Sequence, residues 1–148
     1  LLAFLGLIAL LNGFVTGIAG LFGFEGITIQ ILLGYVFSPV AFLIGVPWGE
    51  ALQAGSFIGQ KIIVNEFVAY INFVEIKDTL SEHTQAIITF ALCGFANLSA
   101  IAILVGGLGA IAPNRRQDLA RLGFKAIIAG SLSNLMSATL AGIFISLV

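Results

Sequence analysis

The chain has 148 residues, of which 59% are hydrophobic and only 9% charged, and its net charge is −1. Soluble domains carry about 25% charged residues, and a chain this apolar cannot cover a soluble surface with polar groups, so bilayer is its natural solvent. The charge balance excludes nucleic acid, which needs a basic face, and the single cysteine, Cys93, excludes an intrachain disulfide or a zinc site built mainly from thiolates.

Leu1 to Phe24 is uncharged and contains Gly6, Gly13, Gly17, Gly20 and Gly23, which predicts one spanning helix and then a tight loop closed by Glu25 and Gly26. No basic region leads to a small-residue cleavage site, so Leu1–Gly13 reads as a helix cut partway, not as a signal peptide. The expectation is a fragment of a longer protein that lacks the partner half of any site. Gly26 to Gly49 is again uncharged and longer than the roughly 20 residues a span needs. Pro39 and Pro47 should kink or end it.

Pro47-Trp48-Gly49-Glu50 reads as an interfacial helix start, with Pro and Glu suited to a first turn and Trp to the headgroup zone. Ala51 to Val74 is mainly apolar but carries Gln53, Gln60, Lys61, Asn65, Glu66 and Asn72. One straight span would place Asn65 and Glu66 well inside the hydrocarbon. The alternative is a hairpin of two helices of roughly 12–15 residues, too short to cross, with Asn65-Glu66 at the tip.

Thr84 to Pro113 carries no charge. As one helix it would run about 45 Å, beyond the roughly 30 Å hydrocarbon core. Gly94-Phe95-Ala96-Asn97-Leu98-Ser99 predicts an unwound stretch inside it, and Gly106-Gly107-Leu108-Gly109 with Pro113 should end it. The basic Asn114–Arg121 stretch should be cytoplasmic and the acidic Glu75–Glu82 loop outside. A last span follows, about Phe124 to Val148, with Gly130, Ser131, Ser133, Ser137 and Gly142 available for close packing.

Glu66 and Asn97 are the leading functional candidates. An intramembrane carboxylate costs a few kcal/mol and usually serves a function. Glu66 could accept hydrogen bonds from sugar hydroxyls, hold a proton or pair with a cation. The plainer alternatives are pairing with Lys61 or with a helix outside this chain, or an interfacial segment. Asn97 has donors and an acceptor for a pair of vicinal hydroxyls beside freed backbone groups, or it is interhelical glue. Phe95 is a packing or stacking surface. His83 is expected as a solvated surface histidine, Lys61 as a residue that snorkels, Cys93 as a small buried hydrophobe, Trp48 and Tyr70 as interface anchors, and Arg115, Arg116 and Arg121 as topology determinants. Tyr35 has no clear role. No Gly-x-Ser-x-Gly, His-Glu-x-x-His or P-loop pattern is present, so an enzyme is not expected.

Ala54–Lys61, Val64-Asn65-Glu66-Phe67-Val68-Ala69-Tyr70, Ala91-Leu92-Cys93-Gly94-Phe95-Ala96-Asn97 and Gly106–Pro113 resemble the C-terminal region of the concentrative nucleoside transporters, across essentially the whole chain. The resemblance implies an all-α polytopic membrane protein, half of an inverted-repeat transporter, with spanning helices, one re-entrant hairpin and one discontinuous helix. Residues 1–24 would end the preceding transport-domain helix. Residues 25–46 would belong to the long scaffold helix, and 47–148 to a transport-domain repeat. That repeat would hold an interfacial helix, a hairpin at about 51–78, a broken helix at about 82–112 and a final span at about 118–148. The resemblance further implies a homotrimeric symporter in the plasma (inner) membrane that imports nucleosides with Na+ or H+. The Arg115–Arg121 loop would be cytoplasmic and the C-terminus outside.

By the same resemblance the ribose would be held by Glu66 and Asn97, with Phe95, Ser99 and Asn65 lining the site. No cofactor and no metal site is expected in this chain, the coupling-ion ligands lying in the N-terminal half. The chain departs from the family at Ser99-Ala100, where the second residue is usually a serine that touches the ribose, so the sugar contacts stay open. The competing classes are another transporter or channel with broken helices, and a non-transporting assembly subunit.

Overall fold

The computed structural model describes residues 2–23 and 26–147, and of residues 2–5 and 8 the backbone alone. Leu1, Phe24, Glu25 and Val148 lie outside the described residues, and with them the expectation that Glu25 closes the first loop. The described chain forms seven α-helices: α1 (Leu2–Leu21), α2 (Ile29–Leu43), α3 (Trp48–Ile63), α4 (Glu66–Ile76), α5 (Glu82–Leu92), α6 (Leu98–Ile111) and α7 (Arg116–Ser146). Short 3-10 turns at Lys77–Thr79 and Pro113–Arg115 precede α5 and α7.

The start of α2 is fixed by side chains that satisfy its free amides. Thr28 caps Ile31 N at 3.3 Å. Asn12 of α1 accepts from Ile29 N at 2.8 Å and donates to Gln30 Oε1 at 3.1 Å, so it joins the two helices. Pro39 lies inside α2 and does not end it. Proline has no N–H for the carbonyl four residues back, and the Ser38 hydroxyl donates to that Tyr35 oxygen instead, at 3.1 Å. The helix stops at Leu43, where Gly45 turns the chain with φ +107° and Pro47 precedes α3. The uncharged run Gly26–Gly49 is therefore α2, a turn and the first residues of α3. Helices α2 and α3 are bent by 116° at that break.

Glycines let these two helices approach to backbone contact. A Cβ on Gly55 would lie 2.6 Å from Ser38 N, and one on Gly34 would lie 2.7 Å from Leu52 O. Gly59 meets Leu33 Cβ in the same way, at 2.7 Å. Close approach of backbones replaces the hydrophobic drive that lipid does not provide.

The core lies between α2, α3, α4 and α5. Ala41, Ala51, Phe57, Ile58, Phe73, Ile87, Ile88 and Leu92 are buried there, and α7 contributes Ala138. Phe57 and Phe73 meet edge to face at 5.5 Å, an arrangement worth about 0.5–1.5 kcal/mol beyond its area. Gln60 and Asn72 are partnered inside the protein: Gln60 donates to Ser56 Oγ at 3.0 Å, and Asn72 donates to Gln60 Oε1. Helix α7 runs along α5 and α6, with Gly142 against Ile87, Gly130 against Ala96 and Gly123 against Ile101.

The glycine run Gly106–Gly109 lies within α6 and does not end it. Gly109 is small to admit Arg116, whose Nε donates to the Gly109 carbonyl at 3.1 Å. Large apolar side chains face outward on several helices: Phe14, Ile103, Leu132 and Phe144 are exposed. Such a surface suits lipid or further protein, not water. Pro113–Ser146 is the one described helix long and apolar enough to cross a membrane, and the bent pair α2–α3 is a second candidate.

Candidate functional site

Two helices begin side by side at the site, and each is capped by an asparagine. Asn65 caps α4, its Oδ1 accepting from Val68 N at 2.9 Å. Asn97 caps α6, its Oδ1 accepting from Ala100 N at 2.8 Å and from the Ser99 hydroxyl at 2.7 Å. Asparagine does this because its short side chain reaches amides that lack an intrahelical partner. Both caps are buried, Asn97 to 3% exposure and Asn65 to 8%. Glu66 is the first residue of α4, where the positive end of the helix dipole favours a carboxylate.

The two helix starts are joined by one hydrogen bond. Asn97 Nδ2 donates to Glu66 Oε2 at 2.6 Å. Among the described residues nothing donates to Glu66 Oε1, and the second Asn97 N–H is also free. An acceptor and a donor therefore stand next to each other, the complement of a hydroxyl, which donates and accepts at once. Around them opens a cleft of about 730 Å³ lined by Asn65, Glu66, Phe67, Phe95, Asn97 and Ser99, with Ala100 and Ile103 beyond. That size suits a small-molecule ligand. Phe95 is 79% exposed and Phe67 is 57% exposed, which gives the cleft apolar and aromatic walls around its polar centre.

The break that creates the second helix start is local. α5 ends at Leu92, Gly94 takes φ +135°, and Asn97 N donates to Phe95 O at 3.0 Å in a tight turn. Glycine suits position 94 because L side chains rarely adopt that φ, and a Cβ there would also meet Asn134 Nδ2 of α7 at 2.5 Å.

All five expected residues, Glu66, Asn97, Phe95, Ser99 and Asn65, line one cleft. Other expectations need correcting. Lys61 does not snorkel: it is 2% exposed and donates through Nζ to Ala91 O at 2.7 Å. Nor does Lys61 pair with Glu66, since the only salt bridge among the described residues is Arg115–Asp118. His83 is half-buried, its Nε2 3.2 Å from the Gly142 carbonyl of α7, because α5 starts against the glycine face of that helix. Cys93 is exposed, since it follows the end of α5. Tyr70 donates its hydroxyl to Thr89 O at 2.7 Å and so binds α4 to α5.

Asn12 and Asn134 escaped the sequence reading. A lone asparagine in an apolar run was the available signal at both. Among the described residues no group of three or more His, Cys, Asp and Glu side chains is placed to hold a metal.

This fold, with its outward-facing apolar side chains, suits a membrane protein. The sequence matches the family described as Na+ dependent nucleoside transporter C-terminus over residues 1–142. The chain belongs to that family, the concentrative nucleoside transporters, which makes it an integral protein of the plasma membrane and not an enzyme. It is 63% identical over 145 residues to the uncharacterized transporter YutK of Bacillus subtilis, covering 98% of this chain and 36% of that protein. It is 49% identical over 152 residues to the nucleoside permease NupC of Helicobacter pylori, covering 99% of this chain and 36% of that one. The solved structure of CNTnw in an inward-facing substrate-bound state superposes with a TM-score of 0.92 at 59% identity, covering 99% of this chain and 36% of that chain. The chain thus spans little more than a third of the relatives it matches.

Proposed function

We propose that this chain supplies the sugar-binding side of a nucleoside importer driven by Na+ or H+. One observation carries the proposal: the Glu66–Asn97 hydrogen bond leaves a free carboxylate oxygen and a free amide N–H side by side in a cleft of ligand size. Adjacent ribose hydroxyls match that pair, Phe95 gives an apolar face, and Ser99 and Asn65 complete the polar wall. In this reading α3 and α4 are the arms of a re-entrant hairpin with Asn65-Glu66 at its tip, and α5 and α6 are the halves of one discontinuous helix. Irregular backbone of that kind is sustainable at membrane depth where it lines a cavity.

The rest of the proposal follows the family. α1 ends the preceding transport-domain helix, and α2 belongs to the scaffold through which three copies assemble. The basic Arg115–Arg121 stretch at the start of α7 is cytoplasmic and the C-terminus outside. The N-terminal half supplies the base-reading hairpin and the coupling-ion ligands. The test is uptake of radiolabelled uridine by cells expressing the full-length protein, with Na+ replaced or pH varied. Accumulation against a gradient that depends on one of these ions, lost in Glu66→Gln with expression intact, is the expected result. Near-native uptake by Glu66→Gln would overturn the assignment. Equilibration without accumulation would identify a passive pore.

A further inference from the structure

Breaking a helix leaves carbonyls without partners at the end of its first half. At the end of α5 three of these have partners. Phe90 O accepts from Cys93 N at 3.2 Å, within the turn itself. Thr89 O accepts from the Tyr70 hydroxyl of α4 at 2.7 Å, and Ala91 O accepts from Lys61 Nζ of α3 at 2.7 Å. Lys61 is 2% exposed and does not line the cleft. A buried lysine in an apolar helix is costly unless something needs its charge. What it meets here is the negative end of a helix dipole, where a cation is favoured.

The partner charge sits at the opposite end of the break. Glu66, five positions on in sequence, holds the start of α6 through Asn97 at 2.6 Å. One α3–α4 unit therefore places a cation at the end of α5 and an anion at the start of α6.

We propose that Lys61 is a positioning residue: its ammonium is a built-in cation that caps the broken end of α5 and thereby holds Glu66 and Asn97 at the spacing that binds substrate. Lys61 acts on affinity without touching the ligand. The inference rests on the nucleoside reading for its affinity consequence, and on geometry alone for the cap.

Both parts are measurable on the purified full-length protein. Lys61→Met keeps length and apolar volume but removes charge and donors, Lys61→Arg keeps both, and Lys61→Gln keeps a neutral donor. Hydrogen–deuterium exchange over residues 92–98 reports the cap, and uridine binding by calorimetry reports the site. In Lys61→Met the exchange there should rise about tenfold and the uridine Kd should rise about tenfold, the scale of one lost charge-assisted hydrogen bond. Lys61→Arg should restore most of both. Native exchange and native Kd in folded Lys61→Met would overturn the proposal. So would a general loss of protection with native Kd in the folded fraction, which would mark Lys61 as packing alone. If Lys61→Met does not fold, Lys61→Gln is judged by the same two readouts, with loosening at 92–98 and weaker binding expected. If the unaltered protein binds no nucleoside, the functional reading fails by itself, and the exchange of residues 92–98 still decides the cap.

Discussion

Asn97 does two jobs that chemistry can separate. Its Oδ1 caps α6 by accepting from Ala100 N, and its Nδ2 holds Glu66. Asn97→Ala removes both, at a capping cost of about 0.5–2 kcal/mol. Serine keeps a capping oxygen on a shorter side chain without the amide donor. Asn97→Ser should therefore hold its melting temperature close to the unaltered protein while uridine binding is lost, whereas Asn97→Ala should lose both. Thermal unfolding alongside a binding isotherm separates the cases, and undiminished uridine affinity in Asn97→Ser would remove Nδ2 from the site. Ala100 stands in the cleft lining beside Ser99. Ala100→Ser adds one hydroxyl, and one further hydrogen bond of about 0.5–1.5 kcal/mol should tighten uridine by about 2- to 10-fold, read from the concentration dependence of uptake.

Helices α2 and α3 depend on glycine at their crossing more than on large apolar side chains. Gly55 faces the backbone of Phe37 and Ser38, so a methyl group there has no flexible neighbour to displace. Gly55→Ala should lower stability by about 1–3 kcal/mol, as overpacking does. Gly49, in the first turn of the same helix, has open space around it, and Gly49→Ala should be neutral or slightly stabilising. A pair of melting curves on the purified protein checks both, and equal melting temperatures would show that the crossing relaxes. The sequence marked this region as apolar and glycine-containing but did not distinguish the two roles, because a glycine in contact and a glycine in open space look alike until the partner helix is placed. Gly106 and Gly107 make the same point: they read as a helix end, yet they sit inside α6 with nothing near them.

Across the whole molecule, Glu50 ties the start of α3 to the start of α5. Its two carboxylate oxygens accept from Ser81 N at 2.9 Å and from the Ser81 hydroxyl at 2.8 Å, and that hydroxyl in turn caps Thr84 N at 3.3 Å. Glu50→Ala should lower the melting temperature of the full-length protein through the loss of about 1–3 kcal/mol of charge-assisted bonding. Ser81→Ala removes the cap as well as the acceptor's partner and should cost at least as much. No change in either variant would mean that the clamp is replaced by water. Outside the core the molecule is covered by exposed Leu, Ile and Phe, which a bilayer or the rest of the transporter would cover.

Hydropathy and run length located the helices, and the two polar interruptions at Asn65-Glu66 and near Asn97 were legible as breaks because polar groups inside apolar runs need a reason. The motifs carried the family. The sequence by itself thus determined the membrane class, the two breaks and the residues at them. Tertiary structure alone decided what those residues touch: that Asn97 grips Glu66, that Lys61 turns inward to the end of α5, and that Gly94 makes room for Asn134. The reason is physical. Burial cost depends on composition and can be read along the chain, whereas the partner that offsets it lies 30 or more residues away and is fixed only when the helices pack.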